Sequence, residues 1–182
     1  MGILKDFDDR HQDSALWQFV KFNLVSLSVT VVQLLLANLL PLIFDGFTAK
    51  LPAFLQPVFD PQFLFNGESR YVVDGVVTWG YVLPFFLSNF IANVYGYFVN
   101  MKNTFKGQGT KAGLLFYFVV LTFLILFSTW LQGFITGRLA QTGLAKYGRT
   151  IAAMAAGMVQ MLVLFPLEKF VLFRKKNVDS DQ

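Results

Sequence analysis

Four long apolar runs, Leu16–Leu40, Val76–Val99, Ala112–Ile135 and Ile151–Phe173, leave this chain few folds to choose from. Each reaches the ~20 residues that carry an α-helix across a hydrocarbon core of ~30 Å at 1.5 Å per residue. Only 14% of the 182 residues are charged, too few to cover a soluble domain, where roughly 25% is usual. The prediction is an all-α membrane protein with four transmembrane helices, at about 16–40, 76–100, 112–136 and 150–173. Residues 1–182 form one polytopic domain, with a long outer loop at about 41–75.

The first fifteen residues are polar and acidic, unlike the basic start of a cleavable signal, so the N-terminus is expected to be retained. The chain has no cysteine, which excludes disulfides and thiolate chemistry. The only histidine, His11, lies in the polar N-terminal segment, and no GxxxxGK[ST] segment is present. No catalytic role, cofactor or metal site is therefore expected, and the chain is not expected to be an enzyme.

Lys and Arg divide unevenly between the two sides. Lys5, Arg10, Lys21, Lys102, Lys106, Lys111, Lys169, Arg174, Lys175 and Lys176 face Lys50, Arg70, Arg138, Lys146 and Arg149. The positive-inside bias then predicts both termini and the 101–111 loop in the cytoplasm. Basic residues that anchor the inner leaflet account for the net charge of +4, with no nucleic acid required.

The second helix pair aligns on the first. Val99 to Lys106 matches Leu167 to Arg174 at an offset of 68, and Phe22, Ser26 and Gln33 match Phe118, Thr122 and Thr129 at an offset of 96. Two spans per unit make these parallel repeats rather than inverted ones.

Each helix carries a polar or small face. Asn23, Ser26, Thr30, Gln33 and Ala37 recur at helical spacing in the first span, and Asn89, Asn93, Gly96, Asn100 and Asn103 in the second. The third has Thr122, Thr129, Gln132 and Thr136; the fourth has Ala153, Gly157 and Gln160, then Glu168, the only carboxylate in any span. Such faces serve helix packing, where interhelical hydrogen bonds are worth ~0.6–2 kcal/mol each. The competing reading is a face that receives a polar head group, since the asparagines of helix two exceed what packing usually needs. Pro84 and Pro166 are expected to kink their helices. The outer loop, rich in Phe44, Phe47, Phe54, Phe59, Phe63, Phe65 and Tyr71, is expected along the outer interface as a cap.

The segments WQFVKFNLVSLSVTVVQLLL, NFIANVYGYFVNMKNTF and PLEKFVLFRKK resemble the GtrA-like family of four-helix membrane proteins over roughly residues 16–176, apart from the first loop. On that resemblance Lys21 takes the place of the base opening helix one, and Gln33 that of a polar residue deep within it. Asn100, Lys102 and Phe105 match the asparagine, base and aromatic that end helix two. Lys169 and Phe173 match their counterparts, while Glu168 stands where the family usually has asparagine, and Gly96 and Leu164 where it often has another.

The resemblance implies translocation of a polyprenyl-phosphate-linked sugar from the inner to the outer leaflet of the bacterial plasma membrane, for cell-surface polysaccharide or teichoic acid glycosylation. A separate membrane glycosyltransferase uses the sugar outside. The candidate binding residues are Lys21, Lys102 and Lys169 toward the phosphate, Gln33, Asn89, Asn93 and Asn100 in place of water, and Glu168. Four helices are few for a closed pathway, which points to a homo-oligomer. Competing readings are a non-transporting scaffold for the glycosyltransferase, a lipid enzyme, and a proton-coupled exporter. The last wants a carboxylate deep in helix one, where this chain has Gln33.

Overall fold

The computed structural model describes residues 7–8, 10–12, 14–44, 46–60, 70–139, 141–144 and 147–173. Four helices are long and apolar enough to cross a membrane, and they dominate the molecule. Helix α1 spans Ala15–Leu39, with a further turn at Pro41–Phe44. Helix α2 spans Trp79–Val99, α3 Lys111–Leu139 and α4 Gly148–Pro166. Phe63, Phe65, Lys146, Arg174, Lys175 and Lys176 lie outside the described residues.

Hydrogen bonds fix the helix directions. Lys21 near the start of α1 reaches the Asn103 carbonyl beyond the end of α2, Gln33 reaches Asn89, and the Gly80 N–H reaches the Phe47 carbonyl. Helices α1 and α2 are therefore antiparallel. Tyr117 near the start of α3 bonds the Asn93 carbonyl toward the end of α2, and Gln160 of α4 bonds Ser128 of α3. One end of the bundle gathers Lys21, Lys102, Lys106, Lys111 and Lys169, and the other carries the long loop.

Helix α1 buries only Gln18 and Phe22. Its leucines and valines, including Leu24, Leu27, Val31, Leu34 and Leu35, point outward. In lipid this exposure costs nothing, because acyl chains are as apolar as leucine. What holds α1 to α2 is close packing: a Cβ added to Gly96 would lie 2.6 Å from Val29 Cγ2.

The helix ladder rewinds twice. Beyond Val99 the chain forms a π-helical segment, Asn100–Thr104, and beyond Pro166 a second, Leu167–Leu172. They close with matching i→i+5 bonds, Phe105 N–H to Asn100 O and Phe173 N–H to Glu168 O, both 2.9 Å. Pro166, which has no N–H, explains a broken ladder only in the second. In both, the residue whose carbonyl accepts the long bond also turns a buried polar side chain inward. Such turns concentrate at functional sites.

The apolar run expected to open helix two at Val76 does not. Val72–Val73 (β1) and Val76–Val77 (β2) pair as an antiparallel hairpin, and α2 starts at Trp79. Asp74 and Gly75 have φ of 49° and 75°, which a two-residue type I′ turn demands. Asp-Gly between paired valines is a strong hairpin signal, and here it outweighs the apolar run. Gly75→Val is expected to destabilise the turn by about 1–2 kcal/mol, the cost of a left-handed β-branched residue. Faster hydrogen exchange at Val76 and Val77 with unchanged exchange in α3 would show it.

The described part of the long loop packs back on the start of α2. Leu51 and Phe59 are buried against Val77 and Val82, with Trp79, Tyr81 and Phe85 around them. The Leu51 N–H bonds the Val77 carbonyl, and Lys50 pairs with Asp74, whose carboxyl it holds below the usual range.

Candidate functional site: a polar cavity among the helices

Most polar side chains in the spans satisfy themselves locally. Asn23 donates to Phe19 O, Ser26 to Phe22 O, Thr30 to Ser26 O, Asn89 to Phe85 O and Asn93 to Asn89 O, one turn back in each case. A polar group that bonds its own helix meets hydrocarbon at reduced cost.

A few polar groups do cross between helices. Gln33 Nε2 donates to Asn89 Oδ1 at 2.9 Å, joining α1 to α2. The Tyr117 hydroxyl donates to the Asn93 carbonyl at 3.0 Å, and Gln160 Nε2 to Ser128 Oγ at 3.0 Å. Asn100 and the Glu168 carboxyl line the same cavity, and Asn100 Oδ1 accepts the Thr104 hydroxyl at 2.9 Å.

These groups surround a cavity of about 210 Å³, room for roughly seven waters at their liquid volume. Ser26, Thr30 and Gln33 line it from α1, Asn93 and Asn100 from α2 and its extension, Tyr117 from α3, and Gln160 and Glu168 from α4 and its extension. Thr30 and Gly157 are exposed lining residues, so the cavity opens sideways between α1 and α4. Toward the lysine-rich end, Phe105, Phe165 and Phe173 pack together, with ring centroids 5.7 Å apart for Phe105–Phe173 and 6.0 Å for Phe105–Phe165.

A second cavity, of about 410 Å³, lies on the hairpin side, lined by Gln33, Tyr71, Gly80, Tyr81, Ser88 and Asn89 among others. The Gln33–Asn89 bond stands where the two cavities meet. Gln33 lines both, Asn89 the hairpin-side cavity, and Asn93, one turn on, the Glu168 cavity. The asparagine face of helix two is thus divided between two compartments, and Asn103 lies outside both, exposed, with its carbonyl on Lys21.

Of the sequence-predicted residues, the structure brings together Gln33, Asn93, Asn100 and Glu168 around the first cavity and links Asn89 to it through Gln33. Lys21, Lys102 and Lys169 line neither cavity. Lys21, its side chain 14% exposed, sits 2.8 Å from Asp8 Oδ1. Lys102 is exposed, and the Lys169 ammonium lies over the Phe165 and Phe170 rings. Arg138 lies over Phe134 on the hairpin side; Arg149 is described by its backbone alone.

The sequence reading missed Asp8, Tyr117 and Thr104. The acidic N-terminal segment was visible, but its docking on Lys21 and Lys106 was not. Hydrogen bonds from Lys21 and Trp17, then Lys106, hold the Asp8 carboxyl well below its ordinary range. A depressed native pKa means the contact stabilises fully above the unfolded value of about 3.8 and is lost as pH falls toward the native value. At neutral pH, Asp8→Asn is expected to raise hydrogen exchange around Trp17 about two- to fivefold, since a part-exposed pair contributes at most about 1 kcal/mol. Acidification below the carboxylate range should reproduce that rise in wild type and add little in the variant.

Among the described residues no group of three His, Cys, Asp or Glu side chains is placed to hold a metal. Compared with protein-family models, curated proteins and solved structures, the chain matches none.

Proposed function

We propose that this chain moves the head group of a polyprenyl-phosphate-linked sugar across the bacterial plasma membrane, from the inner to the outer leaflet, for cell-surface polysaccharide or teichoic acid glycosylation. The observation that carries the proposal is the polar cavity open sideways between α1 and α4, which meets a second, mainly apolar cavity at Gln33–Asn89. In such flipping the tail stays in hydrocarbon. Only the head group pays, each hydroxyl and the phosphate charge costing kcal/mol without partners. A cavity lined by amides and hydroxyls and open to lipid supplies partners while the tail hangs outside. The resemblance in sequence supplies the lipid and sugar class.

In this reading both termini are cytoplasmic, and the lysine-rich end faces the inner leaflet. Lys102 and Lys169 draw the phosphate there, joined by Lys21 when Asp8 releases it. Opening of Gln33–Asn89 passes the head group to the second cavity, and the looped cap marks the outer side. A membrane glycosyltransferase takes the sugar there, and the chain works as a homo-oligomer that leaves the lateral opening facing lipid.

The parallel repeat belongs to the same proposal, and the contacts support it. Residues that correspond at offset 68 lie together: Asn100 and Glu168 line one cavity, and Phe105 packs on Phe173. Corresponding residues meet in this way near a twofold axis. At offset 96, Ser26 and Thr122 make the same bond, to Phe22 O and Phe118 O.

The test is the purified chain in vesicles containing labelled polyprenyl-phosphate mannose, with exposure to a membrane-impermeant probe as readout. Wild type is expected to expose the lipid faster than protein-free vesicles, and a folded Gln33→Leu/Asn93→Leu variant at the protein-free rate. No acceleration by folded wild type would favour the scaffold role beside a glycosyltransferase.

A further inference from the structure

We propose that Glu168 is a proton-binding site, and that the cavity it lines takes an anionic phosphodiester head group together with a proton. The identity of the anion rests on the function proposed above; the proton site rests on the structure alone. Glu168 is 1% exposed, and its Oε2 has no hydrogen-bond partner although it belongs to a residue lining a polar cavity.

An ionised carboxylate there has nothing to balance it among the described residues. The neighbouring Lys169 directs its ammonium over Phe165 and Phe170. Lys21 of α1 is held by Asp8 and the Asn103 carbonyl, and Lys106, in the connection after α2, also pairs with Asp8. The titratable groups within electrostatic reach are Tyr97 from α2 and Tyr117 from α3, both acids themselves. Helix α1 lines the cavity with Phe22, Ser26, Thr30 and Gln33, none of them titratable. A buried carboxylate without a cation favours its neutral form.

Protonation also makes chemical sense of an acid beside a phosphodiester. Two negative charges in one low-dielectric cavity repel, whereas a neutral carboxyl carries no charge and adds an O–H donor at the cavity wall. At a pH where the empty site is ionised, the carboxylate takes a proton from water as the anion arrives and returns it to water as the anion leaves. One O–H bond forms and breaks, and the cavity never holds both charges.

Two measurements on the full chain in nanodiscs test this. Infrared spectra are expected to show a protonated carboxylic-acid band that Glu168→Gln removes and that fades in wild type as pH rises. Calorimetric binding of a short-chain prenyl phosphomannose is expected to weaken with pH in wild type by up to about tenfold per pH unit, the limit for one linked proton. In Glu168→Gln, which keeps a donor but cannot titrate, binding should stay near the wild-type low-pH affinity at every pH.

Absence of the band at acidic and neutral pH, or a band that no alkaline pH removes, overturns the exchangeable proton site. Equal pH dependence in wild type and variant overturns the linkage. If the probe binds neither protein, the proposed head group is wrong, and the infrared result alone decides the proton site.

Discussion

Asn100→Leu is expected to lower stability more than any other single change in the spans. The leucine orphans the Thr104 hydroxyl and takes the amide away from the cavity wall it shares with the Glu168 carboxyl, both Thr104 and Glu168 being buried to 1% exposure. Each orphaned buried group costs about 1–3 kcal/mol. The hydroxyl contributes that much and the loss of the amide near Glu168 adds to it, with the lower end favoured where the unfolded helices find other partners in the bilayer. Thermal unfolding in detergent measures the loss, and a double-mutant cycle tests its cause. Asn100→Leu/Glu168→Leu removes both polar side chains and is expected to recover part of it. If the double variant is as unstable as the sum of the singles, the two side chains act independently and the coupling across their shared cavity is wrong.

The second large effect is Gly96→Leu. Its first added carbon would lie 2.6 Å from Val29 Cγ2, so α1 must move away from α2, an overpacking cost of about 1–3 kcal/mol. Gly96 also lines the Glu168 cavity, so the same side chain narrows it. Val29→Ala should restore stability by making room. Gly157→Leu, on the opposite wall, separates stability from function, because nothing lies within 4 Å of a Cβ there. That variant is expected to melt like wild type and still block lipid exposure in vesicles. Unimpaired exposure by folded Gly157→Leu would mean that the head group does not use the lateral opening.

The polar faces of the spans do different work, and sequence spacing does not distinguish them. Ser26, Thr30 and Gln33 recur on one face of α1, yet Ser26 and Thr30 bond backward to their own helix and only Gln33 crosses to a neighbour. Periodicity says which side of a helix a residue occupies; reach and the position of the next helix say what it touches. The long Gln33 amide reaches Asn89, and a hydroxyl at the same depth meets its own carbonyl first. Lys21 shows the same limit. Its place at the basic end was legible, but Asp8 as its partner depends on the N-terminal segment folding back, which no local pattern encodes.

The sequence by itself determined the four spans and the small Gly96 contact face, because a bilayer requires continuous apolar helices and leaves no other way to satisfy the backbone. The hairpin at Asp74–Gly75 has a local cause as well, two residues tolerant of positive φ, but the apolar run alone reads as helix from Val76 and conceals it. Tertiary structure alone decided that Asn100 and Glu168 line one cavity, that Gln33–Asn89 stands between two cavities, and that the lysines lie away from both. Those outcomes depend on how the helices are rotated against one another and on where the ladder rewinds to i→i+5. Rotation and rewinding follow from side-chain packing between segments far apart in the chain, which hydropathy does not record.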